Sequence, residues 1–330
     1  MNEAPFFSIV ITTFRRPRQI VECLHSLEFL DYPRSRYEVI VVDDGSPEPL
    51  DAIISSFRAS LPLTLLRQPN GGPASGRNTG ARHARGRYLA FTDDDCQPAP
   101  DWLKRLEACL LADPDIMVGG RTVNVLPSHC SAASQIIHDL VYGFFNHDPE
   151  HARFFATNNM ALPRLQFLAA GGLDESFRFA SEDRELCDRW HHLGFRLRYE
   201  PAATVCHRHD LNFPRFCRQH FAYGRGAARF HAVRRERRSS SLLEQSIFHL
   251  RPDWWLIAPV LRAGGIIDGL ALFGLLLTWQ SANAAGYCYE RLVMRPAGTA
   301  SSQLDKPAVP HPEVEAARSM APGREDKRKA

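Results

Sequence analysis

Lysine is nearly absent from this 330-residue chain, in which Lys104 is the only lysine before residue 306. Arginine carries almost all of the other positive charge, and its planar guanidinium suits bidentate contact with phosphate. A biased genomic base composition would give the same excess of arginine. The net charge is only +3, and no basic stripe is interleaved with aromatic residues. We therefore do not expect nucleic acid as a partner.

The eight cysteines lack the spacing of a metal or redox motif. They form no C-x-x-C pair and follow no regular interval, and Cys109 and Cys187 lie within apolar patterns. Such cysteines are typical of reduced core thiols and not of a disulfide framework. The first five residues contain no positive n-region and lead into no long apolar stretch, which predicts no signal peptide. We expect a cytoplasmic protein.

Short apolar runs alternate with helical patterns through the first hundred residues. Runs rich in β-branched residues predict buried strands, and apolar spacing between them predicts helices. The predicted strands are residues 7–13, 38–42, 63–66 and 87–92, and the predicted helices are residues 17–30, 48–59 and 74–84. Strands that alternate with helices indicate an α/β fold around a mostly parallel sheet.

The region after residue 100 has a less regular pattern. It predicts strands at residues 116–120, 121–125 and 154–162, and helices at residues 130–145 and 182–193. Helical spacing continues beyond residue 212, whereas residues 296–330 are rich in proline, alanine and charge without periodicity. We predict a core of residues 1–212, a helical extension at 213–295 and a disordered tail at 296–330.

Three consecutive aspartates, Asp93, Asp94 and Asp95, follow the fourth predicted strand. Like charges in a row repel one another and are costly to bury, so a cation is their natural partner. The strand ends of an open α/β sheet are also where ligands collect. Mg²⁺ or Mn²⁺ suits carboxylate oxygens and normally carries phosphate with it. The alternative is a solvated acidic turn.

A second acidic pair, Asp43 and Asp44, ends the second predicted strand. A glycine-rich loop at residues 70–73 lies between the two acidic strand ends and leads into a helix that contains Arg77 and Asn78. One acidic pair can accept hydrogen bonds from a base or ribose, and the other can hold a metal on the diphosphate. The pattern therefore predicts a nucleotide site.

Five motifs in order make the chain resemble the family 2 glycosyltransferases. The motifs are SIVITTF at 8–14, VVDDGS at 41–46, GRNTG at 76–80, DDD at 93–95, and GGLDESF at 171–177 followed by SEDREL at 181–186. The resemblance covers residues from about 6 to about 210, and the motifs are specific because they occur together and in order. It implies the GT-A fold, a Rossmann-like three-layer sandwich, with a nucleotide-binding half at 6–100 and an acceptor half at 101–212.

The resemblance also implies an inverting, metal-assisted single displacement. The donor would be a UDP-, GDP- or dTDP-sugar, and the acceptor a glycan, a lipid-linked molecule or a small molecule in cell-surface glycan or glycolipid synthesis. By the resemblance, Thr12, Asp44 and Arg77 would contact the nucleotide. Asp93 and Asp94 would also lie in the cofactor-binding site. The metal, Mn²⁺ or Mg²⁺, would be held by Asp95, Asp93 and His207, and Asp183 would be the catalytic base.

Local chemistry leaves alternatives open at several of these residues. Ser181 is a good N-cap, so Asp183 is expected in a first helical turn that favours its charged form, although acidic residues are common in any first turn. The buried amides of Asn158 and Asn159 hydrogen-bond either the donor sugar or neighbouring backbone, and we favour Asn158 as a donor contact. Zinc is not expected at His207, because no second closely spaced pair completes a tetrahedral site.

The C-terminal third combines a basic cluster at 234–238 with an apolar region at 254–279. A membrane span needs about 20 apolar residues, and this region is interrupted by Arg262, Asp268 and glycines. Two hypotheses remain for it. Residues 230–280 either make peripheral contact with the cytoplasmic face of the inner membrane, or they pack on the catalytic core.

A catalytically degenerate relative that binds nucleotide or scaffolds a polysaccharide assembly is the alternative function. The presence of Asp44, Asp95 and Asp183 argues against it. A haloacid-dehalogenase-type phosphohydrolase would place its Asp-x-Asp after the first strand. A processive synthase would need several membrane spans and a Gln-x-x-Arg-Trp motif, which the chain lacks.

Overall fold

The computed structural model describes residues 4–178, 180–237 and 248–293. The predicted tail at 296–330 lies outside these residues. The strands are β1 (Phe7–Thr13), β2 (Tyr37–Asp43), β3 (Leu63–Arg67), β4 (Tyr88–Asp93), β5 (Cys96–Pro98), β6 (Met117–Asn124), β7 (Asn159–Pro163) and β8 (Leu197–His207). These eight strands of the described residues form one sheet in the order β3-β2-β1-β4-β7-β6-β8-β5.

Helices cover both faces of the sheet and continue into the C-terminal region. The helices are α1 (Pro17–Glu28), α2 (Asp51–Ser55), α3 (Pro73–His83), α4 (Trp102–Ala112), α5 (His129–Phe145), α6 (Arg164–Ala169), α7 (Glu182–His192), α8 (Phe213–Glu236), α9 (Ala258–Leu261) and α10 (Ile266–Val293). Short 3₁₀ turns lie at Arg34–Arg36 and Pro149–His151, and a π-helical turn lies at Asp253–Ile257.

The first four strands of the chain form the parallel half of the sheet. β1 pairs in parallel with both β2 and β4, and β2 pairs in parallel with β3. β2 is buried along its whole length, as expected for a strand with helices on both faces. The register aligns Thr13 with Asp43 and Thr12 with Asp93, so both acidic strand ends meet at one edge. This part of the α/β prediction is confirmed.

The second half of the sheet is mixed, although parallel pairings remain the majority in the whole sheet, as predicted. β7 runs antiparallel to β4 and β6, β8 runs parallel to β6, and β5 runs antiparallel to β8. The short turn between β4 and β5 sends the chain from the middle of the sheet to its far edge. The end of the parallel half and the end of β8 therefore come together.

Four predicted elements have clearly different bounds in the structure. The helix predicted at 48–59 ends at Ser55, because the next residues tighten into i→i+3 turns such as Phe57 N–H to Ile54 O. The strands predicted at 116–120 and 121–125 are one strand, β6, with an irregular register between Gly120 and Arg121. The strand predicted from residue 154 begins only at Asn159.

Two apolar cores lie on opposite faces of the sheet and give the protein three layers. One core packs α1 and α4 on the sheet through residues that include Leu24 and Leu106. The other packs α3, α6 and α7 through residues that include Ala81, Phe167 and Trp190. The apolar stripes of these helices supply the driving force for the sandwich.

The C-terminal helices pack on the rest of the protein, as one of the two hypotheses for this region expects. α10 packs along α8 and against α5, and the contact surface includes Phe216, Trp255, Leu276 and Trp279. The opposite face of α10 is apolar and exposed. No helix among the described residues has both the length and the hydropathy required to span a membrane.

Candidate active site

A cavity of about 650 Å³ opens where the parallel strands end. One wall is formed by the end of β1, the acidic run after β4 and the end of β8. The first turn of α7 and the facing sides of α5, α8 and α10 form the other walls. The cavity therefore joins the predicted nucleotide-binding half to the C-terminal helices.

Asp95 meets His207 because β5 pairs with β8. The register sets Cys96 opposite His207, and the backbone N–H of Arg208 donates to the carbonyl of Asp95. The His207 Nε2 atom lies 3.2 Å from Asp95 Oδ1, and Arg16 Nη1 donates to Asp95 Oδ2 over 2.9 Å. Burial acts to raise the pKa of Asp95, but the hydrogen bond from His207 and the charges of His207 and Arg16 lower it to about 2.

The Asp95–His207 pair fits a divalent cation. The ligand atoms of Asp95, Cys96 and His207 all lie within 4.8 Å of one another. Burial raises the pKa of the Cys96 thiol, so the cysteine stays protonated and is a poor ligand. The remaining oxygen and nitrogen donors suit Mn²⁺ or Mg²⁺ better than a thiolate-bound zinc. The predicted ligands Asp95 and His207 are thus brought together.

Asp93 and Asp94 both accept hydrogen bonds from side chains of this chain. The side chain of Asp93 is 31% exposed and accepts a hydrogen bond of 2.5 Å from Arg77 Nη2. Asp94 is buried and accepts from Thr13 Oγ1 at 2.7 Å and from Arg16 Nη1 at 3.0 Å. Burial raises the pKa of Asp94 to about 6, against the charge of Arg16. Both aspartates line the cavity, with Asp94 the more firmly tied to the protein.

Asp44 lies under the glycine-rich loop and does not line the cavity described above. Its Oδ1 accepts from Gln68 Nε2 and from the backbone N–H of Gly71, and its Oδ2 accepts from Asn70 Nδ2 and from the backbone N–H of Gly72. These bonds occupy both carboxylate oxygens and fold the loop, in which Gly72 has a positive φ of 88°. A direct contact of Asp44 with nucleotide stays a prediction.

Thr12 and Arg77 line the cavity beside the acidic run. The Thr12 hydroxyl is buried without a hydrogen-bond partner among the described residues, and its methyl group packs where a side chain at Gly76 would clash. The Arg77 guanidinium bridges Asp93 and Glu182, with the bond to Glu182 Oε1 at 3.1 Å. Burial would lower the pKa of Arg77, but the two carboxylates raise it overall.

Asp183 lies in the first turn of α7 and faces the cavity. The expected N-cap is not formed, because Ser181 has a left-handed backbone with φ of 76° and its side chain makes no capping hydrogen bond. The backbone N–H of Arg184 donates to Asp183 Oδ1 over 2.7 Å. Burial and then the neighbouring charge of Glu182 raise the pKa of Asp183 to about 7. Burial and Glu182 thus oppose the charged form that the helical position was expected to favour.

The two asparagines have different surroundings. Asn159 is fully buried and structural: its Oδ1 accepts from Trp102 Nε1, and its Nδ2 donates to the carbonyls of Arg121 and Ala203. Asn158 lines the cavity, and its Oδ1 accepts from Thr122 Oγ1 over 3.1 Å. No hydrogen bond of its amide nitrogen exists among the described residues, so this group is available to a ligand.

The sequence interpretation missed the contribution of the C-terminal helices to the cavity. His220 and Tyr223 of α8 and Trp279 of α10 line it together with Tyr142 of α5, and none of the four was named as a site residue from the sequence. His220 is 1% exposed, and neither ring nitrogen has a partner among the described residues. A histidine on the apolar face of a predicted helix was the available signal, since buried polar groups need partners.

The arrangement is the GT-A fold, in which a parallel half of the sheet is joined to a mixed second half. The solved structure of the mannosyltransferase PcManGT from Pyrobaculum calidifontis, in complex with GDP-Man and Mn²⁺, has the same fold with a TM-score of 0.67. The alignment covers 89% of both chains at 20% identity.

Residues 8–157 match the family model described as Glycosyl transferase family 2. Glycosyltransferase AglE of Haloferax volcanii is 32% identical over 133 residues, or 40% of this chain and 44% of that protein. Pre-mycofactocin glycosyltransferase of Mycobacterium tuberculosis is 32% identical over 197 residues, or 58% of this chain and 41% of that protein. The chain thus spans less than half the length of these curated relatives.

Proposed function

We propose that the protein transfers a sugar from a nucleotide-sugar donor to an acceptor hydroxyl with inversion at the anomeric carbon. One observation carries this proposal. A single cavity contains the Asp95–His207 pair, which fits a divalent cation, and also contains Asp183, a carboxyl with a pKa of about 7. A cation held by the Asp95–His207 pair could stabilise the charge of a diphosphate, and Asp183 could accept a proton from a hydroxyl. The match of residues 8–157 to the model of glycosyl transferase family 2 supports the same reaction class.

The donor end of the cavity would lie at the acidic run. Asp95 and His207 would hold the metal, which when bound neutralises charge on the departing nucleoside diphosphate. Mn²⁺ fits the imidazole ligand better than Mg²⁺, which prefers oxygen. PcManGT was solved with GDP-Man and Mn²⁺, in line with this assignment. Thr12 and the amide nitrogen of Asn158 are the groups with free hydrogen-bonding capacity toward the donor.

Asp183 would accept the proton of the acceptor hydroxyl. The acceptor oxygen forms a bond to the anomeric carbon, and the bond from that carbon to the diphosphate oxygen breaks with its electron pair going to the diphosphate. A single displacement from the opposite face inverts the configuration. Glu182 keeps the pKa of Asp183 near neutrality, which suits a general base in this pH range.

A panel of UDP-, GDP- and dTDP-sugars with Mn²⁺ or Mg²⁺ tests the proposal through donor binding and slow donor hydrolysis without acceptor. We expect saturable, metal-dependent binding of at least one donor, lost in Asp95→Ala. Asp31→Ala is the matched control, because Asp31 is an exposed aspartate on the opposite side of the sheet edge. A donor affinity that changes neither when the metal is removed nor in Asp95→Ala would contradict the mechanism.

We further propose that the protein acts in the cytoplasm at the inner-membrane surface, in cell-surface glycan or glycolipid synthesis. The support is an exposed apolar face on α9 and α10 that includes Leu261, Ile266, Leu270 and Phe273. Arg262 lies on this face and can approach anionic headgroups. Within the basic cluster at 234–238, Arg234 and Arg237 bind carboxylates of α7, Arg235 is exposed, and Arg238 lies outside the described residues.

A further inference from the structure

Three arginines line the cavity in the described part of the chain, and only two of them have carboxylate partners. Arg16 pairs with Asp94 and Asp95 at the metal end, and Arg77 pairs with Asp93 and Glu182 in the middle. Arg184, which follows Asp183 in α7, has no carboxylate within ion-pair distance among these residues. Arg184 therefore differs from Arg16 and Arg77, which neutralise aspartates of the acidic run.

Aromatic rings surround the Arg184 guanidinium. Its central carbon lies 4.6 Å from the ring centre of Phe230 and 5.6 Å from that of Phe145. The rings attract the cation but cannot neutralise its charge. Burial lowers the pKa of Arg184 to about 10, so the guanidinium still carries its charge at neutral pH. Arg184 is partly exposed to the cavity, and a guanidinium there that no carboxylate neutralises favours an anion from a ligand.

The position of Arg184 favours the acceptor over the donor diphosphate. The charges that act on it are those of Arg234, Asp183 and Asp188, whereas the acidic run at 93–95 acts on Arg16 and Arg77. Arg234 already binds Asp188 over 2.9 Å. The contacts of Arg184 with Phe145 of α5 and Phe230 of α8 place it at the helical wall of the cavity.

The rest of this end of the cavity is uncharged and partly aromatic. Tyr142 and Tyr223 stay neutral, because burial raises the pKa of both phenols. His220 also stays neutral, because burial lowers its pKa to about 3. Its unpartnered ring nitrogens suit hydroxyl groups and not an anion. Among the residues named for this end of the cavity, Arg184 is thus the one that can bind a negatively charged group.

We propose that Arg184 binds a phosphate or carboxylate carried by the acceptor, and that this contact places the acceptor hydroxyl at Asp183. The inference rests on the proposed function and names its acceptor class as an anionic one. A guanidinium binds either anion through two parallel N–H donors, so the contact would orient the acceptor as well as attract it.

The test compares charged and neutral probes of similar shape on the full chain saturated with nucleoside diphosphate and Mn²⁺. The pairs are glucose 1-phosphate with methyl glucoside, and glucuronate with glucose, and binding is measured by isothermal titration calorimetry. The bound diphosphate blocks the donor site as a source of anion binding. We expect the anionic member of one pair to bind at least about tenfold more tightly, and the responding pair distinguishes phosphate from carboxylate.

Variants assign that preference to one residue. Arg184→Gln should abolish it while leaving nucleoside diphosphate affinity unchanged, and Arg184→Lys should retain part of it because the charge remains. Arg87→Gln is the matched control, since Arg87 also lies over an aromatic ring, that of Tyr88, but at the amino end of β4. The melting temperature of Arg184→Gln should change little, because no ion pair is lost and only the ring contacts with Phe230 and Phe145 weaken.

Three outcomes would overturn the inference. They are equal binding within both probe pairs by the wild-type chain, an anion preference that survives in Arg184→Gln, or a loss of diphosphate affinity in that variant as large as the loss of probe affinity. The first comparison needs no variant and so does not depend on whether one folds. If no nucleoside diphosphate binds at all, the proposed function fails, and the probe pairs measured without nucleotide still test Arg184 separately.

Discussion

Arg77 and Glu182 form a buried ion pair of 3.1 Å between two helices that are far apart in the chain. Arg77 belongs to α3, which follows the glycine-rich loop, and Glu182 begins α7. The same guanidinium also binds Asp93 at the end of β4. The pair therefore links the acidic strand end to the helix that presents Asp183, and it fixes the negative charge of Glu182 beside that carboxyl.

Transfer should rise with pH through about 7, because Asp183 accepts a proton only when it is ionised. Below its pKa the carboxyl is protonated and the rate falls, and above its pKa the rate levels off. Burial and Glu182 raise this pKa, while Arg77 and Arg184 lower it. Glu182→Gln removes a raising charge, so the midpoint of the rate profile should move to lower pH. Initial rates between pH 5 and 9 measure the shift.

The control for this shift is Glu22→Gln, which removes an exposed carboxylate that pairs with Arg208 on the surface. Its profile should match that of the wild type. A midpoint in Glu182→Gln equal to that of the wild type, with activity retained, would show that Asp183 does not set the pH dependence.

Asp183→Asn should abolish transfer and preserve donor binding. The amide cannot take a proton from the acceptor, and general base catalysis contributes typically about 10²- to 10⁴-fold in rate. The side chain lies away from the Asp95–His207 pair, so metal-dependent donor affinity should remain. Donor affinity is measured by titration and transfer by product formation, with Asp31→Asn as the surface control. Retained transfer would remove Asp183 from the mechanism.

The acidic strand ends were predictable because their signal is local. A β-branched apolar run followed by aspartates shows where Asp43 and Asp93 leave the sheet, and the parallel register follows from the alternation of strands and helices. The backbone of Ser181 was not predictable in this way. Its left-handed conformation depends on packing against α8, where Gly226 leaves room for it.

The partners of the site residues required the three-dimensional structure. Asp95 meets His207 only because β5 crosses to pair with β8, and nothing in the spacing of 95 and 207 encodes that register. Asp44 illustrates the same limit, since a motif suggests a nucleotide contact while the carboxylate hydrogen-bonds the loop at Gly71 and Gly72. Long-range hydrogen bonds of this kind are not visible in periodicity.

Metal affinity should depend on His207 and not on Cys96. His207→Ala removes a nitrogen ligand 3.2 Å from Asp95, so Mn²⁺ binding should weaken by about 10- to 100-fold or more. Cys96→Ala removes a protonated thiol that coordinates nothing and should leave Mn²⁺ affinity unchanged. Electron paramagnetic resonance of free Mn²⁺ measures both. A larger loss in Cys96→Ala than in His207→Ala would indicate a different ligand set.

The exposed face of α10 should bind anionic vesicles. Ile266, Leu270, Phe273 and Leu277 follow one another along this face and are 84%, 67%, 42% and 40% exposed. We expect the full chain to float with vesicles that contain phosphatidylglycerol, and Leu270→Glu with Phe273→Glu to abolish flotation. Phe29→Glu is the matched control, as Phe29 is 73% exposed at the end of α1. Unchanged flotation of the double variant would exclude this face as the contact.

Two glycines should respond oppositely to alanine because only one of them lies at a helix contact. A Cβ added at Gly224 in α8 would lie 2.0 Å from the carbonyl oxygen of Asn283 in α10, so the helices must separate. We expect Gly224→Ala to lower the free energy of unfolding by about 1–3 kcal/mol.

A Cβ at Gly274, in α10, meets nothing within 4 Å. Gly274→Ala should therefore raise the free energy of unfolding by about 0.5–1 kcal/mol through helix propensity alone. Chemical denaturation of both variants beside the wild type measures the two changes. The cavity wall at His220 and Trp279 belongs to the same helix pair, so Gly224→Ala should also impair transfer while Gly274→Ala leaves it unchanged. Equal effects of the two substitutions would contradict the close contact between α8 and α10.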